Sequence, residues 1–185
     1  MAGQRYSVMP MPAIEEHTEY IEAGPITFGI EYRVLNEEEA AKYSKTWERI
    51  AAHGDINAAK TPVDAGVTIH VYESPGVYES PEVYGRADLV EHLRFDCFLD
   101  DPHYHYISHR EKINEFWTLD PVAIGEPLPW ALNAIKTRLP QMLARAGAPE
   151  LAKRVAQADL DNVLPKVAVA AETARKLGLP DKSRG

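Results

Sequence analysis

The sequence predicts an α+β domain in which an antiparallel β-sheet packs with a helical C-terminal third. Segments in which apolar residues alternate with period two occupy the first two thirds of the chain, and alanine- and leucine-rich segments with helical spacing follow them. Strands that precede helices, instead of alternating with them, favour this class over a doubly wound parallel sheet. With 185 residues, of which 45% are hydrophobic, the chain can bury the core of one domain.

We expect three regions along this domain. Residues 1–20 lack convincing periodicity and contain Pro10 and Pro12, which predicts an extended N-terminal arm. Residues 21–130 form a mainly β region with one helix, and residues 131–178 form a helical segment packed on the same domain. The arm and the C-terminal helices are the predicted contacts of a possible homo-oligomer.

Two strands and one helix are predicted before the middle of the chain. Residues 26–35, after the turn signal Gly24-Pro25, alternate between apolar and polar side chains and predict a half-buried strand. Asn36 precedes three glutamates, as at a capped helix start, and residues 40–52 continue with good helix formers. Residues 67–72 alternate again and predict a second strand.

A short repeat follows the second strand. The segments V-Y-E-S-P-G at 71–76 and V-Y-E-S-P-E at 77–82 are nearly identical, and a third Val-Tyr pair follows at 83–84. Pro75 and Pro81 exclude a central strand, and three units are too few for a solenoid. We therefore predict a duplicated, tyrosine-bearing loop that could border a pocket.

The last third of the chain is predicted to be helical. Residues 130–145, 150–159 and 161–177 carry apolar side chains at helical spacing. Pro140 and Pro165 are expected to kink or divide these helices, because proline lacks the backbone N–H that continues a helix.

The segment 92–109, H-L-R-F-D-C-F-L-D-D-P-H-Y-H-Y-I-S-H, contains four of the seven histidines and predicts a β-hairpin. Strand alternation separates its side chains into two faces. In the first arm, one face carries His92, Arg94, Asp96 and Phe98. In the second arm, one face carries His103, His105, Ile107 and His109.

The length of the turn decides whether these two sets share a face. If residues 99–102 form the loop, Phe98 lies opposite His103, Asp96 opposite His105 and His92 opposite His109. This register gathers the four histidines and the aspartate, whereas a turn one residue longer or shorter would separate them.

Imidazole and carboxylate groups are the usual ligands of zinc, iron and manganese, and catalytic sites typically use three of them. The candidate ligands of a divalent metal are His103, His105, Asp96 and His92. Candidate catalytic residues are Asp96, His109 and Arg94. Asp96 would be a third ligand or an acceptor that orients His105. Arg94 would hold a substrate carboxylate or oxyanion, or it would form an ordinary salt bridge.

Other interpretations of the same residues remain open. The histidines could form a hydrogen-bonded polar surface under the C-terminal helices, or a metal-free acid–base site with a His-Asp pair. His70 is a further candidate if its strand pairs with the hairpin. Cys97 faces the predicted core and is interpreted as a packing residue.

The hairpin resembles a motif of an uncharacterised bacterial domain family. The motif combines F-D-x-F, here Phe95-Asp96-Cys97-Phe98, with a short acidic turn and P-H-Y-H-Y at 102–106. This resemblance implies no assigned activity. The His103-x-His105 pair also resembles that of cupins, but Glu111 follows after five residues instead of three or four, and the glycines expected before the pair are absent.

These features predict a small, metal-dependent enzyme that acts on a small organic substrate in a pocket between the sheet and the helices. Hydrolase, lyase and oxygenase chemistry all fit such ligands. The alternative is a non-enzymatic subunit or protein-interaction module with a structural histidine cluster. A nuclease-like toxin is disfavoured, because 28 acidic against 20 basic residues give a net charge of -8, which disfavours nucleic acid as a partner.

We expect a soluble, cytoplasmic protein that does not associate with membranes. Cys97 is the single cysteine, which excludes an intramolecular disulfide and a cysteine-built metal site and is compatible with a reducing compartment. No apolar run reaches the roughly 18 residues that a membrane span requires.

Overall fold

A computed structural model describes residues 4–6, 9–36, 64–74 and 89–178 of the protein. The described strands are β1 (Gln4–Tyr6), β2 (Glu19–Ala23), β3 (Ile26–Leu35), β4 (Asp64–Glu73), β5 (Val90–Phe98), β6 (His103–Ser108) and β7 (Ile113–Thr118). The described helices are a 3-10 turn (Glu15–His17), α1 (Pro121–Ile124), α2 (Pro127–Arg145), α3 (Pro149–Arg154) and α4 (Gln157–Gly178). The predicted helix over 40–52 and the repeat beyond residue 74 lie outside the described residues.

The seven described strands form one sheet in the order β1-β7-β6-β5-β4-β3-β2. Every neighbouring pair in this sheet is antiparallel. The predicted α+β class with a helical C-terminal third is therefore confirmed. β3 and β4 pair along their whole length, from Ile26 opposite Glu73 to Leu35 opposite Asp64.

The helices cover one face of the sheet and supply its apolar core. α2 packs on β5 and β6, whereas α4 packs on β2, β3 and β4. The Trp130 ring of α2 lies 6.3 Å from the ring of Phe95 and 5.6 Å from that of Tyr104. Burial of each large apolar side chain stabilises the fold by roughly 1.5–3 kcal/mol. Residues of this core include Ile26, Phe28, Ile30, Val67, Ile69, Leu93, Phe95, Ile135, Leu139, Leu143, Leu160 and Val167.

The opposite face is buried as well, so the prediction that β3 is half-buried is wrong. Glu31 is fully buried and Arg33 is 4% exposed, although both belong to the polar side of β3. Arg33 donates to the carbonyl oxygens of Met11 and Pro12, while Glu31 accepts from the backbone N–H of Ile14. The N-terminal segment thus covers part of the polar face, and its backbone satisfies the charges beneath it.

The prolines do not divide the C-terminal helices, so of the two predicted effects, a kink or a division, division is wrong. Pro140 lies inside α2 and Pro165 lies inside α4. A proline inside a helix leaves the carbonyl oxygen four residues earlier without its usual partner. For Pro140 that oxygen belongs to Lys136, and the side-chain amide of Gln157 donates to it at 3.2 Å. The first residue of α4 thus supplies a donor to the carbonyl oxygen that Pro140 leaves without its helical partner.

β7 shows no alternation in its sequence because it packs on both faces. Its adjacent aromatic residues, Phe116 and Trp117, point to opposite sides of the sheet. Phe116 lies 4.2 Å from the ring of His103, whereas Trp117 stacks 6.4 Å from the ring of Tyr104. A strand with aromatic rings on both faces does not show the period-two pattern by which strands are recognised.

Candidate metal site

The β5–β6 hairpin pairs in a register two residues away from the predicted one. Asp96 lies opposite His103, and Arg94 lies opposite His105. The predicted pairing of Asp96 with His105 is therefore wrong. A shift of two residues keeps every side chain on its predicted face, since alternation has period two. The aspartate and the histidine pair consequently still share one face.

The turn explains the shift. The carboxylate of Asp64, at the start of β4, accepts hydrogen bonds from the backbone N–H groups of Leu99, Asp100 and Asp101 at 2.9–3.3 Å. The chain therefore turns around a side chain of the neighbouring strand.

Three side chains on this face bring their ligand atoms together. Asp96 Oδ2 lies 3.2 Å from His103 Nε2 and 3.1 Å from His105 Nε2. All three residues are buried, and among the described residues they form a group whose ligand atoms all lie within 4.8 Å of one another. Such a group could hold a metal ion.

The other nitrogen of each imidazole is held by an oxygen acceptor. His103 Nδ1 donates to the carbonyl oxygen of Asp101 at 2.6 Å, and His105 Nδ1 donates to Asn114 Oδ1 at 2.7 Å. A neutral imidazole carries one N–H, so each ring presents the lone pair of Nε2 toward Asp96. Two lone pairs that face one carboxylate oxygen repel it unless a proton or a metal cation lies between them.

Asp96 is held in place from the adjacent strand. The hydroxyl of Thr68 donates to Asp96 Oδ1 at 2.7 Å. This contact leaves Oδ2 for the two imidazoles. Partners of this kind, which orient the ligands without touching the metal, are typical of metal sites.

Aromatic rings border the two histidines. The ring of Phe98 lies 5.4 Å from that of His103, and Phe116 contacts both His103 at 4.2 Å and His105 at 5.3 Å. Apolar neighbours exclude water and strengthen electrostatic interactions among the buried groups.

The three side chains shift one another's protonation. Burial raises the pKa of Asp96, but its close contacts with His103 and His105 and the charge of Arg94 together hold it well below its usual value. Burial lowers the pKa of His103, but the hydrogen bond and charge of Asp96 more than offset this and raise it. The pKa of His105 is lowered by burial and by the charge of His103. Asp96 is therefore ionised, and one proton on His103 can occupy the position between the ring and the carboxylate.

A chain of paired ionisable side chains extends across the polar face beside this group. Arg94 donates through Nε and Nη2 to the two carboxylate oxygens of Glu91, at 2.9 and 2.7 Å. Glu91 in turn lies 2.6 Å from His70 Nδ1, and His70 Nε2 lies 3.0 Å from Glu31. Glu31 also accepts from Arg33 at 2.5 Å. The salt bridge considered for Arg94 is thus present, with Glu91 as its partner.

Glu91 is a residue that sequence reasoning missed. The pairing of β4 with β5 shifts by one residue between Val71 and Tyr72, so β5 has an extra residue at His92. Such a bulge reverses the alternation of the residues before it. Glu91 therefore lies on the face of Arg94 instead of the helix side.

The bulge also separates His92 from the metal group. His92 Nε2 lies 3.4 Å from the carboxylate of Glu73, which also pairs with Arg154 of α3 on the helix side. His109 Nε2 donates to the carbonyl oxygen of Glu91 at 2.8 Å, and burial lowers the pKa of His109. The structure thus brings together Asp96, His103 and His105, and it places His92 and His109 elsewhere.

The metal group faces away from the helices, which corrects the prediction of a pocket between the sheet and the helices. Its members alternate along β5 and β6 with Phe95, Cys97 and Tyr104, which belong to the core under α2 or pack against it. Cys97 is buried, and burial raises the pKa of its thiol. Its side chain packs in the apolar core.

The comparisons with known proteins identify a family. The model of the family described as Domain of unknown function (DUF7700) matches residues 20–171. The chain belongs to this family. The match spans β2 to most of α4, including the metal group, and confirms the prediction of an uncharacterised domain family. No curated protein and no solved structure matches the chain. In the described part of the chain, no helix is long and apolar enough to cross a membrane.

Proposed function

We propose that this protein is a metal-dependent enzyme that binds a divalent cation through Asp96, His103 and His105 and acts on a small organic substrate. The observation that carries the proposal is the convergence of two Nε2 atoms on one carboxylate oxygen, with both Nδ1 atoms already bonded to acceptors. Nothing in the apolar core requires this arrangement, whereas a cation between the three atoms would satisfy all of them.

The distances fit one cation. Zinc, and iron or manganese with similar ligands, bind nitrogen and oxygen at about 2.0–2.2 Å, so neighbouring ligand atoms are separated by roughly 3.0 Å in octahedral and 3.4 Å in tetrahedral geometry. The two separations from Asp96 Oδ2, 3.1 and 3.2 Å, lie between these values, and all three ligand atoms lie within 4.8 Å of one another. Two imidazoles and one carboxylate also leave coordination positions open, as catalytic sites require.

A bound divalent cation would act as a Lewis acid or lower the pKa of a bound water molecule. The protein contributes a buried site bordered by Phe98 and Phe116, and it fixes both imidazole tautomers through Asp101 and Asn114. Hydrolysis, lyase chemistry and oxygenation all use such a centre.

The experiment that tests the proposal begins with the metal content of the purified protein, measured by inductively coupled plasma mass spectrometry. We expect close to one metal ion per chain in the wild type and a loss of that metal in the His103→Ala/His105→Ala variant. His17→Ala is the matched control, because His17 is exposed and lies in the N-terminal 3-10 turn. Asp96→Asn, which keeps the size of the side chain, provides a second variant if the alanine variant does not fold.

Enzymatic activity is tested by turnover of ester, hydroxy-acid and oxo-acid substrates. Turnover should stop when a chelator removes the metal and return when the metal is added back. A wild-type protein that is folded but binds no zinc, iron or manganese contradicts the proposal. If the metal is bound but no substrate turns over, the metal has a structural role and the chain is a non-enzymatic module.

A further inference from the structure

Arg94 is a buried cation directly beside the metal group. It lies opposite His105 in the hairpin register and is 2% exposed. Its charge contributes to the lowered pKa of Asp96, two residues along the same strand. A substrate at this metal would therefore lie in the field of the Arg94 guanidinium.

One edge of this guanidinium has no acceptor among the described residues. A guanidinium has five N–H groups, and Glu91 accepts from Nε and from one N–H of Nη2. Among the described residues, no acceptor bonds to Nη1. The edge formed by Nη1 and Nη2 is thus a second fork, of the geometry that binds a carboxylate through two parallel hydrogen bonds.

The charges of the polar face also favour an anion. Among the described residues, the buried carboxylates of this face are Glu31, Glu91 and Asp96, and its buried guanidinium groups are Arg33 and Arg94. The two ring nitrogens of His70 lie 2.6 and 3.0 Å from carboxylate oxygens of Glu91 and Glu31, so these two carboxylates are already engaged. A divalent cation bound by neutral His103 and His105 would change the summed charge of these carboxylates and guanidinium groups from negative to positive. Buried charges are costly unless they are paired, so an anionic ligand is stabilised there.

We propose that the substrate of this site carries a carboxylate, which binds beside the metal on the Nη1–Nη2 edge of Arg94. This proposal rests on the metal-dependent function above and narrows its substrate class. Glu91 holds Arg94 in position through the other edge. Planar, two-point recognition distinguishes a carboxylate from a neutral amide of the same shape.

The test measures binding of small probes to the zinc-loaded protein by isothermal titration calorimetry. Acetate and pyruvate are the carboxylate probes, acetamide is the neutral probe of the same shape, and inorganic phosphate is the alternative anion. Hydrogen bonds to charged groups contribute about 1.5–3 kcal/mol, so we expect acetate to bind roughly 10-fold or more tightly than acetamide.

Arg94→Lys keeps the charge beside Glu91 but removes the fork, and it should abolish this preference for acetate. Arg94→Gln/Glu91→Gln removes both charges together and should have the same effect without leaving a carboxylate unpaired. Arg33→Lys is the control, because Arg33 lies on the same face but is engaged by Glu31 and by backbone carbonyls of the N-terminal segment. The metal content of every variant is measured before the titration.

The outcomes separate the two proposals. If the variants bind metal and lose the preference for acetate while Arg33→Lys keeps it, the carboxylate proposal is supported. If zinc-loaded wild type binds acetate no better than acetamide, or both Arg94 variants retain the preference, the carboxylate proposal is overturned and the metal site stands. Tighter binding of phosphate than of acetate also overturns it. A wild type that binds no metal overturns the proposed function itself.

Discussion

Replacement of Asn114 by leucine should weaken metal binding without destroying the fold. Asn114 is 5% exposed, and its side-chain oxygen accepts from His105 Nδ1 at 2.7 Å. Leucine has a similar size but no acceptor, so the N–H that must remain on Nδ1 when Nε2 binds metal becomes buried and unsatisfied. Loss of such an orienting partner typically lowers metal affinity about 10–100-fold, equivalent to about 1.4–2.7 kcal/mol. The unsatisfied N–H should lower the free energy of unfolding by about 1–3 kcal/mol.

The affinity is measured by competition for zinc with a chromophoric chelator at neutral pH, and the stability by urea unfolding of the metal-free protein. Asn114→Asp retains an acceptor at the same position and adds a negative charge, so its zinc affinity should equal or exceed that of the wild type. Asn162→Leu, at an exposed position of α4, is the control for the substitution itself. A folded Asn114→Leu protein whose zinc affinity stays within about twofold of the wild type would refute the role of His105 Nε2 as a ligand.

Three further predictions follow from neighbouring residues. Thr68→Val removes the hydroxyl that holds the Asp96 carboxylate and should lower zinc affinity about 10-fold. Thr27→Val, at a buried threonine bonded to Ser74, is the control and should leave the zinc affinity measured by chelator competition unchanged. Burial opposes ionisation of Glu31, but the hydrogen bond from His70 and the charge of Arg33 lower its pKa to about 2. The ionised Glu31 therefore contributes about 3 kcal/mol to the free energy of unfolding above the unfolded pKa near 4.3, and this contribution is lost as the pH falls toward 2. Urea midpoints of the wild type should decrease over that window, and those of Glu31→Gln should change less. A Cβ at Gly66 would lie 2.3 Å from a backbone carbonyl oxygen of β5, so Gly66→Ala should lower the free energy of unfolding by about 1–3 kcal/mol.

The parts of the fold that sequence reasoning predicted correctly depend on local alternation. β3 begins and ends at the predicted residues 26 and 35, and β4 contains the predicted segment 67–72. The shared face of Asp96, His103 and His105 was likewise predictable. A register that differs by two residues leaves every side chain on its face, and only an odd difference would have separated the three.

The parts that could not be predicted depend on distant contacts. The hairpin turn is held by the carboxylate of Asp64, which lies 35 residues before Leu99, the first turn residue that it binds. The bulge at His92 has no marker in the local sequence, yet it places Glu91 beside Arg94 and directs His92 toward Glu73. Alternation read along β5 alone therefore assigns both residues to the wrong side.

Stability does not explain the charges of the polar face. A buried ion pair is often no more stabilising than apolar residues of the same volume, because desolvation of the charges offsets their attraction. The same sheet carries an apolar face under α2 and α4 that is sufficient for a core, whereas its other face holds Glu91, Arg94 and Asp96 in a connected network. This division indicates that the apolar face supplies the stability and offsets the cost of the polar one. Glu91 holds the guanidinium of Arg94 in place, and the contacts with His103 and His105, together with the charge of Arg94, keep Asp96 ionised. A cation site beside an anion-binding group requires both conditions.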